Sequence, residues 1–203
     1  MNQFVIALRE ERRLIRLATV LLVGGALLGY LFADSITGVL KSSAVWEQLQ
    51  ETVSKMGKHP GFFDAFTVIW LNNMKAAATM IGMGVFFGVF PLFALLTNGV
   101  ILGVVLGQVS AMGNNPLWVF VTKILPHGIL ELPALIIASA FGIRLGLLVL
   151  QWMISWVSPV FRERNQLAWQ HFFRQIPYIV GGVFVLILVA AVIESGLIVY
   201  LKS

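Results

Sequence analysis

Residues 121–146 read VTKILPHGILELPALIIASAFGIRLG. The surroundings are almost wholly apolar, yet this run carries Lys123, His127, Glu131 and Arg144, with Pro126 and Pro133 among them. In a bilayer, each ionisable group must face protein or a water-filled cavity. Each proline removes a backbone donor and disturbs the turn before it. The stretch 117–157 is longer than one crossing needs. It therefore predicts a short re-entrant helix over 117–125, a break at Pro126, and a full span over about 130–156. Backbone that leaves the helix at membrane depth must be satisfied by protein or water. Many transport proteins build polar sites from such discontinuous helices.

Composition places the stretch in a membrane. Of 203 residues, 59% are hydrophobic and 11% charged, with a mean hydropathy of +0.90. A soluble domain carries roughly a quarter of its residues as charges. The net charge is +5, but its distribution says more than its total. Basic residues cluster over 9–16 and 162–174, the pattern of cytoplasmic flanks rather than of a nucleic-acid surface. With no cysteine, disulfides and thiolate ligands are excluded.

The fold class is accordingly all-α: a polytopic membrane protein, one integral domain over 1–203, with about five transmembrane helices. The spans are expected at about 14–33, 73–95, 96–112, 130–156 and 177–200. Trp46, Leu49, Val53 and Met56 recur at helical spacing among polar residues and predict an amphipathic helix over 42–57 at the outer interface. Asn72 and Asn73, followed by Lys75, fall at the outer mouth of the second span. Pro91 bends that span near its inner end, and Asn98-Gly99 supplies a hairpin turn. Gly84 with Gly88, and Gly103 with Gly107, form GxxxG patterns for close packing. These faces and the outer helix predict a homodimer, or serve packing within the chain. Both basic clusters fall inside when the amino terminus is cytoplasmic and the carboxyl terminus outside. The expected location is the bacterial cytoplasmic membrane.

On a helix, Lys123, His127 and Glu131 stand at i, i+4 and i+8 and share a face. Three readings remain open. The group is a buried hydrogen-bonded cluster that locks the broken helix. It is a metal site, with His127 and Glu131 holding zinc or another divalent cation and further ligands from Glu194, Asn72, Asn73 or a symmetry mate. Or it lines a path for protons or a solute. Arg144 lies toward the inner half of its span, where it snorkels or pairs. Glu194 in the last span is a partner for Lys75 or for an ion. HGILE lacks the second histidine of HExxH, and no hydroxyl or thiol has a convincing base. No complete catalytic constellation is present, which argues against an intramembrane hydrolase and against an enzyme.

Three segments carry a family resemblance: Asn72-Asn73 with Lys75 and Gly82; Leu96-Thr97-Asn98-Gly99 with Gly103; and PHGILELPA from Pro126 to Ala134, continued by Ala138, Gly142 and Gly146. On these the chain resembles the stage II sporulation protein M family of bacterial membrane proteins. The resemblance implies a scaffold in forespore engulfment that recruits and coordinates peptidoglycan hydrolases, one cleaving peptides and one cleaving glycan strands. It implies no hydrolysis by this chain. Related proteins also occur in organisms that do not sporulate. The rival reading is a small ion or solute transporter or channel built around the broken fourth span.

Overall fold

The computed structural model describes residues 3–41, 47, 61–156 and 159–200. The described residues are helical apart from short turns. In chain order the helices are α1 (Gln3–Glu10), α2 (Arg12–Leu31), α3 (Ala33–Lys41), α4 (Phe62–Gly82), α5 (Val89–Ala111), α6 (Pro116–Val119), α7 (Leu125–Ser155) and α8 (Pro159–Tyr200). A 3₁₀ turn, Met83–Val85, follows α4, and a π-helical segment, Phe120–Ile124, joins α6 to α7. The helix expected over 42–57 lies outside the described residues, apart from Glu47.

Among the described residues, four stretches are long and apolar enough to cross a membrane: Arg12–Leu31, Val89–Ala111, Gly128–Ser155 and Asn165–Val199. They are not equivalent. The span in α7 is 61% buried, against 22–28% for the other three. α7 is thus the central helix, with α2, α4, α5 and α8 packed around it. Its apolar interior includes Phe141 and Leu148, closed by Ile179, Val183 and Ile187 of α8. Without water between the helices, burial alone does little to hold them together, so close contact between backbones must contribute. Ala134, Ala138, Gly142 and Gly146 recur every four residues along α7 and are all buried. A Cβ on Gly142 would meet the carbonyl oxygen of Met80 in α4, and one on Gly146 would meet the backbone of Phe87 and Gly88.

α2 and α5 form the most extensive contact in the fold. Gly25 lies against Leu96 and Val100, Gly99 against Leu22, Gly103 against Ala26 and Tyr30, and Gly107 against Tyr30 and Ala33. Residue numbers rise together along both helices, so α2 and α5 run parallel.

Three expected boundaries move. The reversal before α5 falls at Met83–Gly88, not at Asn98-Gly99, so the second span does not extend over 73–95. Gly88 provides it with φ +72, a conformation costly for residues with a Cβ. Asn98 instead sits inside α5, its Nδ2 donating to the Ala94 carbonyl at 2.8 Å, and Gly99 serves helix contact. Pro91 does not bend a helix. It is the third residue of α5, where its missing N–H would have no intrahelical partner anyway.

The third change concerns Pro126. No loop intervenes between Pro116 and Ser155; the chain passes through a change of winding. The Pro126 ring would crowd the carbonyl four residues back in an α-turn. A wider π turn relieves that crowding, and Leu125 N–H accordingly bonds to the Phe120 carbonyl, five residues back. Asn115 starts the run: its Oδ1 accepts from the N–H groups of Leu117 at 2.9 Å and Trp118 at 3.2 Å, with Pro116 in the first helical position. Pro133 lies within α7, which continues through it.

Candidate functional site

The polar residues singled out by sequence divide into two groups at different levels of the fold. Glu131, in the second turn of α7, and Glu194, near the far end of α8, are within electrostatic reach of each other. Both are partly buried. Asn73 belongs to the buried stripe Ala65, Ile69, Asn73, Ala77 and Met80 of α4, which packs on α7 and α8. Asn72 and Lys75 are exposed, and the charge that acts on Glu194 is Glu131, not Lys75. The side chains of Lys123 and His127 lie outside the described residues. Lys123 is in the π segment and His127 in the first turn of α7, so the even i, i+4 winding expected between them is interrupted. Among the described residues, no group of three or more His, Asp or Glu gathers as metal ligands. Near this level the Trp70 indole, stacked on Phe66 and edge-on to Phe184, has a buried Nε1 without a partner.

The second group lies further along α7, past its midpoint. Arg144 Nε is 3.2 Å from Glu11 Oε1, with the two side chains 25% and 12% exposed. Glu11 is the residue between α1 and α2, so this pair ties the start of the chain to the central helix. Burial pushes the Glu11 carboxyl above its ordinary range, and the Arg144 guanidinium offsets part of that rise. The neighbouring Glu10 adds to the rise, and His171 opposes it. Glu10 reaches α8: its Oε2 lies 2.7 Å from His171 Nε2 and accepts a hydrogen bond from Gln175 Nε2. Gln175 Nε2 is also 3.1 Å from His171 Nε2, while its Oε1 is buried without a partner.

Sequence reading missed Glu10, Glu11 and Gln175. They sit among basic flanks and in a connector, where no local pattern marks them, and their partners are far away in the chain. The two pairs differ in weight. Glu10 and His171 are 42% and 54% exposed, and exposed ion pairs contribute about 0–1 kcal/mol. His171→Ala is therefore expected to lower stability by less than about 1 kcal/mol, measured by thermal unfolding in detergent. A loss several times larger would mean that His171 also anchors α1 by packing.

Comparison with known proteins bears on the whole of this arrangement. Residues 18–197 match the family described as stage II sporulation protein M. The chain belongs to that family. The matched range begins inside α2, at Ala18, and runs through nearly all of α8; it takes in both polar groups except Glu10 and Glu11. Two uncharacterized proteins of Methanocaldococcus jannaschii are also similar. One is 35% identical over 80 residues, 39% of this chain and 44% of the relative. The other is 32% identical over 87 residues, 43% of this chain and 36% of the relative. The alignments thus span less than half the length of these relatives. No solved structure matches.

Proposed function

We propose that this sporulation-family membrane protein is a scaffold that recruits and coordinates peptidoglycan-degrading partners, in forespore engulfment. The observation that carries this reading is the family match across 18–197. The packing is consistent with it. A central helix held by backbone-close contacts on several sides makes a rigid body, and much of α2 and α5 remains apolar and exposed, available to a second copy or to membrane-anchored partners.

In this reading the protein crosses the cytoplasmic membrane five times. α2 and α5 are parallel, so the chain must return between them, and α4 has the length to do so: 21 residues, at about 1.5 Å each. Its parallel alignment with α7, where Met80 Sδ accepts a 3.1 Å hydrogen bond from Ser139 Oγ, agrees. The basic clusters at the starts of α2 and α8 then lie on the cytoplasmic side. The amino terminus is inside and the carboxyl terminus outside.

One observation favours a second reading. Two carboxyl groups within reach at membrane depth are costly unless a proton or cation joins them. Glu131 and Glu194, with His127 nearby in sequence, would then form a cation or proton site of a small transporter, or hold a divalent ion that stiffens the scaffold. Cross-linking in living cells followed by capture of the full chain separates the readings. A scaffold retains its wall hydrolases when Glu131→Gln and His127→Ala are introduced and the protein still assembles. A transporter loses flux in reconstituted vesicles on Glu131→Gln. Flux that depends on Glu131, with no hydrolase captured by the unaltered chain, would overturn the scaffold.

A further inference from the structure

We propose that the groove between α1–α2 and α7 binds one anionic phospholipid, its phosphate held by Arg12 and Arg16 and an acyl chain lying along Ile136 and Pro133. The groove has a volume of about 810 Å³, and its walls are mostly apolar, supplied by α1, α2 and α7. Its charged lining comes only from α1 and the first turns of α2; α7 contributes Pro133, Ile136 and Ile137. Arg12 and Arg16 stand one helical turn apart on the same face of α2, and Arg9 of α1 completes the rim. Among the described residues, neither Arg12 nor Arg16 has a carboxylate partner. Arg16 Nε donates to the Arg12 carbonyl at 3.4 Å, which folds its side chain back along the helix toward the Arg12 turn. Arginine forks match phosphate oxygens in pairs, and they are less strongly hydrated than ammonium groups.

The rest of the lining is almost wholly apolar. Ile15, Ile136 and Ile137 line it, and the Thr19 hydroxyl in its wall is already spent on the Ile15 carbonyl at 2.9 Å. Pro133 is exposed there, on a helix that is otherwise the most buried of the spans. Arginines at the start of a membrane helix, beside an apolar wall supplied by α7, have the polarity profile of a lipid. A soluble phosphate compound would use the arginines and leave the apolar wall uncovered. A peptide would bring backbone polar groups that the apolar wall cannot satisfy. Basic pockets between helices on the cytoplasmic side suit anionic headgroups.

The test uses the full chain in a neutral detergent, with the melting temperature followed against phosphatidylglycerol, phosphatidylcholine and inorganic phosphate. Phosphatidylglycerol is expected to raise the melting temperature by several degrees, while the other two have little effect. The Arg12→Gln/Arg16→Gln variant should need about tenfold more phosphatidylglycerol for the same rise. Arg13→Gln, whose side chain is outside the groove, should respond like the unaltered chain. Ile136→Trp fills the groove and should melt normally without lipid but lose the response. It keeps the proposal testable if the arginine variant fails to fold. An equal response to phosphatidylcholine, a response reproduced by phosphate alone, an equal loss in Arg13→Gln, or a full response in Ile136→Trp would each overturn the proposal.

Discussion

Replacing Gly103 by alanine is expected to destabilise the protein by about 2–3 kcal/mol or more, the upper part of the overpacking range. The added Cβ would meet the Ala26 carbonyl oxygen and the Tyr30 amide nitrogen of α2. Both are backbone atoms, so no side chain can rotate away. Relief requires the two helices to separate, and the neighbouring close contacts at Gly25, Gly29 and Gly99 would loosen with them. Gly103→Leu should abolish the folded state in detergent. Gly24, on the partner helix α2, provides the opposite sign. Nothing lies within 4 Å of a Cβ built there. Gly24→Ala should stabilise by about 0.5–1 kcal/mol through the helix preference alone. Melting temperatures of the purified variants decide the matter. Gly103→Ala melting at or above the unaltered protein would show that α2 and α5 do not depend on this contact.

That contact also shows what could be read from the residues and what could not. Small residues at four-residue spacing announce close approach, so Gly103 and Gly107 stood out in sequence. Their partner helix did not, because any apolar span offers an acceptable neighbour. The all-helical, membrane-spanning class was legible from charge content and from the length of the apolar runs. Turns were less so. Asn98-Gly99 has turn chemistry, but Asn98 could equally bond back to Ala94, and the αL glycine that makes the reversal, Gly88, looked like part of a packing motif. Pro126 correctly marked a disturbance. Whether a chain answers a proline with a loop or with one wide turn depends on what surrounds the freed carbonyl, which local sequence does not specify. In the polar groups, Arg144 was marked by its isolation in an apolar run. Glu11 was hidden by the arginines beside it, and the pairing of the two depends on how α1, α2 and α7 meet.

The Glu11–Arg144 pair should make stability depend on pH in a way that the variants can separate. Arg144→Met is expected to cost about 2 kcal/mol at pH 8, less than the roughly 3–5 kcal/mol for breaking a fully buried pair, because Arg144 keeps 25% exposure. The sign with pH follows from Glu11. Its carboxyl is raised above 4.5 by burial, against the opposing pull of Arg144. A carboxyl raised in the folded state favours folding when protonated. Its contribution is therefore fully present below the unfolded value and is lost as pH rises through the folded one. Removing Arg144 removes the opposing pull and moves the folded value higher still. The loss then extends over a wider pH range, so the Arg144→Met deficit should shrink as the solution is acidified toward pH 4.5. Glu11→Gln has no carboxylate to desolvate. It should be much less costly at pH 8, flatten this part of the stability–pH curve, and leave a further Arg144→Met change with little effect. Denaturation of the four proteins of this double-mutant cycle, followed between pH 4.5 and 8, measures the coupling directly. Glu10 and His171 are retained in all four, so their contributions cancel to first order. Parallel curves for Arg144→Met and the unaltered chain would mean that Glu11 does not feel Arg144, and that α1 is tied to the central helix by packing alone.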